Sequence, residues 1–160
     1  MCQAYINEKG IDVVSVRLGR IYGAPVRKTD TKSTTQFINN AVNNEDIILK
    51  SKGLQKFSYA YVADTVTAYL QLLVNGQNGE AYNVAHDEIK TFVEVANILA
   101  NINGKQVKFE YPDSTIQKGG SSVQSALLDS KKICQLGWKA KYDLKSGLVR
   151  TVAILRSKNG

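Results

Sequence analysis

Tyr5-Ile-Asn-Glu-Lys9 places a phenol and an amine at i and i+4, on one face of a helix, the spacing of a Tyr-x-x-x-Lys catalytic pair. The same spacing arises from ordinary helix packing and solvation. His86 beside Asp87 offers half of a catalytic triad, but no elbow-type serine motif accompanies it, so the pair reads as a surface turn. The chain has no Gly-x-Gly-x-x-Gly and no phosphate loop ending in Gly-Lys-Ser/Thr. With one histidine and two distant cysteines, Cys2 and Cys134, no structural zinc site is expected. Two cysteines also make no disulfide framework and suit a reducing cytoplasm.

The elements that must position any chemistry follow from hydrophobic spacing. With 160 residues and 43% apolar side chains the chain reads as soluble and globular, and it should bury roughly 70% of its unfolded surface. No apolar run reaches the ~20 residues of a membrane span, and the first ten residues are not expected to be a signal peptide. Residues 1–9 read as helix with Cys2, Tyr5 and Ile6 on one side, stopped by Gly10. Ile11–Arg17 is almost continuously apolar, the pattern of a strand buried on both faces of a parallel sheet. Gly19 to Pro25 reads as a loop, and Thr34 or Thr35 as the cap of a helix carrying Phe37, Ile38, Ala41 and Val42. Short strands are expected at 47–49, 57–61, 81–84 and 107–111. Helices are expected at 63–74, with a Val66, Tyr69, Leu70, Leu73 stripe, and from Phe92 behind a Thr91–Glu94 capping box. Residues 112–122 read as a loop, and further helices are expected at 130–136 and 144–155.

Charge is unevenly placed. The chain carries 21 Lys and Arg against 14 Asp and Glu, a net +7. The eight basic residues of 131–160 face Asp143 alone, so the whole excess lies there. Such a surface attracts anions of any kind, nucleic acid included, or is a solvated helix face.

The order of motifs resembles the extended short-chain dehydrogenase/reductases, the NAD-dependent sugar-nucleotide epimerases and dehydratases. The resemblance rests on Arg17-Leu-Gly-Arg-Ile-Tyr-Gly-Ala-Pro25 with Gln36-Phe-Ile38, on Gly53-Leu-Gln-Lys-Phe-Ser-Tyr-Ala-Tyr-Val-Ala-Asp64, and on Gly79-Glu-Ala-Tyr-Asn-Val84. It continues through Asp129-Ser-Lys-Lys-Ile-Cys-Gln-Leu-Gly-Trp138 and Leu144-Lys-Ser-Gly-Leu148. It implies an α/β fold, the C-terminal part of a Rossmann-type enzyme, with one buried parallel strand plus a small mixed α/β substrate domain. Residues 1–25 would be the remnant of the dinucleotide-binding domain and 26–160 the substrate-binding domain. In the family, Tyr-x-x-x-Lys lies roughly two dozen residues before the arginine matching Arg17. Tyr5 is about half as far, so it matches the helix beyond the active site.

The resemblance further implies that Leu18 and Gly19 lie near the nicotinamide. Arg20, Ile48, Gln55 and Asn83 would touch a nucleoside-diphosphate sugar. Phe57 stands where the family has an arginine on the diphosphate, and Ser125 replaces a second basic residue; Lys56, Arg20 or Lys118 would have to compensate. If the pocket is intact, Phe57→Arg should tighten nucleoside-diphosphate binding. Asp64 reads as a helix cap and Trp138 as core. Without a Gly-rich cradle, no NAD is expected on this chain alone, and no catalysis. A noncatalytic nucleotide-sugar or anion-binding module is the alternative, and a nucleic-acid binder using Trp138, Lys139, Lys141 and Tyr142 a third. The strand at 11–17 would lie open at an edge and pair with a second copy.

Overall fold

The computed structural model describes residues 2–26, 29–111 and 125–159. Lys118, the 112–122 loop and the side chains of Cys2 and Tyr5 lie outside the described residues. The chain begins with α1 (Cys2–Lys9), β1 (Ser15–Leu18), β2 (Arg20–Tyr22), α2 (Ser33–Val42) and β3 (Ile48–Leu49). Then come β4 (Lys56–Tyr61), α3 (Val62–Asn75), β5 (Ala81–Val84), β6 (Ile89–Thr91) and α4 (Phe92–Asn101). The remainder is β7 (Lys108–Phe109), β8 (Ser125–Ala126), α5 (Lys131–Cys134) and α6 (Leu144–Asn159).

β1 is shorter than its apolar run. The Val13 N–H donates to Asn78 Oδ1 and the Val13 carbonyl accepts from Gly79 N–H, so a turn takes the backbone that would have extended the ladder. Four residues pair in parallel with β5, Ser15 opposite Ala81 and Leu18 opposite Val84, with α3 in the connection between the two strands. β5 is the only neighbour of β1 among the described residues. Val14, Val16 and Leu18 pack on Ala68, Leu72, Tyr82, Val84, Ile133 and Trp138, whereas Ile11 and Arg17 are exposed. The expected burial of both strand faces does not occur within this chain. The core around β1 draws on residues 68–84 and 133–140, well beyond the first 25.

At Gly19 the chain changes partners. Gly19 N–H still donates to the Val84 carbonyl, but the next three residues pair in parallel with β4, Arg20 opposite Tyr59. The backbones approach so closely that a Cβ at Gly19 would lie 2.8 Å from the Ser58 carbonyl oxygen. Only glycine fits there without displacement. The segment expected as a loop from Gly19 therefore carries a strand, β2.

β4 also pairs antiparallel with β6 and parallel with β8. β3 pairs in parallel with β7. The larger core joins α2, α4, α6 and the aromatic strand β4 through Phe37, Ile38, Phe57, Tyr59, Val95, Leu99, Leu148 and Val152. α4 starts as expected: Glu94 N–H donates to Thr91 Oγ1, and Thr91 N–H donates to Glu94 Oε2. Tyr22 lies against α6 at Gly147, where a Cβ would come within 2.1 Å of the tyrosine oxygen, so the missing side chain is what lets the ring in.

α3 faces the opposite way from its expected stripe. The inward residues are Asp64, Thr65, Ala68 and Leu72. Val66, Tyr69, Leu70, Leu73 and Val74 are exposed, Leu73 at 83% and Val74 at 79%. On the inward face Ala68 and Leu72 share a core cluster with Val16 and Leu18 of β1 and Tyr82 and Val84 of β5.

A cavity at the sheet switch point

Where β1 leaves its sheet and β2 joins another, a cavity of about 810 Å³ opens. Crevices at the carboxyl ends of strands, where sheet connectivity switches, are where α/β folds bind ligands. Gly19, Arg20, Tyr22 and Tyr59 form its strand wall; Asp30, Lys32 and Thr34 form the opposite rim. The rim includes the start of α2. Neither Thr34 nor Thr35 caps that helix: the N-cap is Lys32, whose side chain makes no capping bond, and Thr35 Oγ1 instead donates to Asp30 Oδ2 at 3.1 Å. Lys32 thus brings no side-chain acceptor to the first turn of α2, and the Asp30 carboxylate lies at that helix start, accepting from Lys32 N–H and Thr35 Oγ1.

Of the residues expected to contact cofactor or substrate, the structure brings Gly19 and Arg20 to this cavity. Leu18 turns into the core beneath β1. Ile48 lies exposed on β3, opposite Lys108, away from the cavity lining. Gln55 is half-buried, with its carbonyl accepting Phe92 N–H. Asn83 Nδ2 donates to the Asp129 carbonyl at 2.9 Å, joining β5 to the turn before α5.

Phe57 is not a vacant grip. It is 3% exposed, part of the larger core, with the Arg20 guanidinium carbon 3.5 Å above its ring centroid. Phe57→Arg would bury a second cation beside the first, so the expected gain in diphosphate affinity is withdrawn. Sequence reasoning passed over Tyr59 and Thr34. The alternation of Phe57, Tyr59 and Tyr61 along β4 was the available signal, because a phenol among inward aromatics needs a partner.

Asp64 does more than complement the α3 dipole. Its carboxylate accepts Lys141 N–H at 3.1 Å and Tyr142 N–H at 3.0 Å, tying the approach to α6 to the start of α3. Trp138 is core, as expected, with Nε1 donating to Thr67 Oγ1. His86 Nδ1 accepts Glu88 N–H in a local turn. In the basic C-terminal stretch, Arg156 is bound to the Ala41 and Val42 carbonyls and to Asn103, and Arg150 lies over Tyr142. Lys131 and Lys132 pair with Asp129 and Glu80. With Trp138 inside, the nucleic-acid reading loses one of its two stacking rings. Among the described residues no three His, Cys, Asp or Glu converge on a metal position.

Residues 1–85 match the family model described as the NAD dependent epimerase/dehydratase family. The chain belongs to that family. It is 27% identical over 154 residues to dTDP-D-glucose 4,6-dehydratase of Mus musculus, covering 94% of this chain and 42% of that protein. It is 24% identical to UDP-glucuronic acid decarboxylase 1 of Danio rerio, over 95% of this chain and 35% of that one. Among solved structures, UDP-glucose 4-epimerase of Thermotoga maritima with UDP-glucose superimposes with a TM-score of 0.84 at 23% identity, over 99% of this chain and 50% of that one. dTDP-glucose 4,6-dehydratase of Bacillus anthracis in complex with NAD gives 0.83 at 24% identity, with 99% and 49% coverage. The fold is thus the Rossmann-type α/β fold expected from the motifs, and the chain spans half or less of the length of these relatives.

Two strand-to-helix junctions of this chain, β4 to α3 and β6 to α4, do not fit a dinucleotide pyrophosphate. Such a group needs a glycine-rich turn opening onto free helix amides. β4 runs into α3 without glycine and with the Asp64 carboxylate in its first turn. β6 runs into α4, where Thr91 and Glu94 already occupy the cap.

Proposed function

We propose that this chain is a substrate-holding half of a nucleotide-sugar epimerase or dehydratase: it takes a nucleoside-diphosphate sugar in the switch-point cavity and neither holds NAD nor catalyses by itself. The observation that carries the reading is the cavity. It combines an arginine without a carboxylate partner among the described residues with a position at the strand ends where the sheets part. Hydride chemistry would come from a dinucleotide held elsewhere, since neither strand-to-helix junction described above can cradle one. Acting as a noncatalytic nucleotide-sugar module differs from this only in what completes the site. Leu18, Gly19, Arg20, Ile48, Gln55 and Asn83 remain the contacts that the family resemblance proposes, and of these Gly19 and Arg20 line the cavity.

For this polypeptide taken alone we also propose self-association around residues 11–17. β1 offers an unpaired edge among the described residues, and α3 beside it exposes five large apolar side chains. No helix among the described residues is long and apolar enough to cross a membrane, and the exposed free thiol of Cys134 suits the reducing cytoplasm we propose as its compartment. A thermal-shift series tests the ligand reading. Millimolar UDP-glucose or dTDP-glucose is expected to raise the melting temperature, as any ligand specific for the folded state must, while NAD at the same concentration leaves it unchanged. Stabilisation by NAD alone would contradict the assignment.

A further inference from the structure

We propose that Arg156, on α6, is a positioning residue for ligand binding: it clamps the far end of α2 and so fixes how far the near end reaches across the cavity. The proposal rests on the nucleotide reading above and concerns what sets the width of the cavity, since Arg156 itself does not line it.

The two ends of α2 are held differently. Its start supplies Thr34, Thr35 and Ile38 to the cavity, opposite the wall of β2 and β4. There Thr35 Oγ1 donates to Asp30, and Gln36 Nε2 donates to the Thr31 carbonyl, both partners lying just before the helix. Bonds to distant parts of the chain gather at the other end. The Arg156 guanidinium donates to the Ala41 carbonyl at 2.7 Å, to the Val42 carbonyl at 3.3 Å, and to Asn103 Oδ1 just beyond α4. Asn103 Nδ2 donates to the same Ala41 carbonyl at 2.8 Å, and Lys105 Nζ donates to the Asn44 carbonyl at 2.6 Å. One side chain of α6 thus joins the C-terminal ends of two other helices.

The last turn of a helix leaves carbonyls without intrahelical partners and carries partial negative charge. α2 has no basic residue in its own last turn, so the cation comes from α6. A guanidinium stays charged at physiological pH, and its planar fork reaches two adjacent carbonyls at once, which a single ammonium does less well. Phe37, Ile38 and Ala41 press α2 onto the larger core, but apolar contact is non-directional and resists sliding along the axis less than a hydrogen bond does. α2 has 10 residues, a length of about 15 Å. A helix this short moves as a rod, so an axial slip at Ala41 reappears at Thr34.

Arg156 lies at the surface, so its replacement should leave the core folded. Calorimetric titration with UDP-glucose is expected to show about a tenfold loss of affinity in Arg156→Gln. Arg156→Lys keeps the charge and one bond, and should recover part of the loss. Ile133→Val, in the core cluster around β1, destabilises the chain without touching α2 and should bind UDP-glucose as the unmodified chain does. Equal binding by Arg156→Gln and the unmodified chain would overturn the clamp while the nucleotide reading stands. An equal loss in Ile133→Val would overturn it too, because the effect would then follow from stability alone. If the unmodified chain binds no UDP-glucose, the nucleotide reading fails and the clamp fails with it.

Discussion

Alanine in place of Asp64 is expected to lower the unfolding free energy by about 3 kcal/mol, because two backbone donors lose their acceptor at once. The carboxylate is 3% exposed and receives the N–H groups of Lys141 and Tyr142. Those donors lie on the segment that leads into α6, and α6 supplies Leu148 and Val152 to the larger core. Loosening them therefore frees the docking of a whole helix. Asparagine keeps one acceptor oxygen and should recover about half of the loss. Urea denaturation of the two variants reads the difference directly; a cost below about 1 kcal/mol for Asp64→Ala would mean that the tether contributes little.

Leu70→Glu combined with Leu73→Glu is expected to convert a self-associated chain into monomer. α3 carries no basic residue, and its one acid, Asp64, is turned inward. On a molecule of net charge +7 this makes the outer face of α3 a neutral surface where two copies meet with least repulsion. Five exposed apolar side chains on one helix, beside an unpaired strand edge, form a patch of the kind that marks an interface. Both substituted residues already face solvent, so the folded chain should tolerate glutamate. Val14→Lys is a poorer probe, because Val14 packs inside its own chain, with a methyl group 2.9 Å from the Cβ position of Gly76. Sedimentation velocity at several concentrations decides the matter. An unmodified chain that is monodisperse monomer at the highest concentration would defeat the assembly proposal.

Much of this architecture could be read from local chemistry. The Thr91–Glu94 box fixed the start of α4 because its two bonds are made within four residues. Ala81–Val84 was legible as a strand from its residue types. The orientation of α3 was not, since periodicity finds an apolar stripe without saying whether the element that covers it belongs to the same 160 residues. β2, β6 and β8, of two or three residues each, are too short to show a period, and they exist because β4 offers ladder positions on both sides. In the site, Arg20 and Gly19 were visible through motif order. The seating of Arg20 on Phe57 was not, because it depends on the register that sets Arg20 opposite Tyr59. Thr34 looked like a helix cap for the reasons that usually make threonine one. The helix instead begins at Ser33 with Lys32 before it, which leaves the Thr34 hydroxyl inside the wall.

The central claim is that the cavity takes a nucleotide sugar while the same polypeptide cannot hold the dinucleotide. Isothermal titration of the 160-residue chain with UDP-glucose, dTDP-glucose and NAD in parallel tests it most directly. The account predicts saturable, stoichiometric heat with at least one nucleotide sugar and none with NAD at micromolar protein. Stoichiometric binding of NAD, with no heat from either nucleotide sugar, would contradict it.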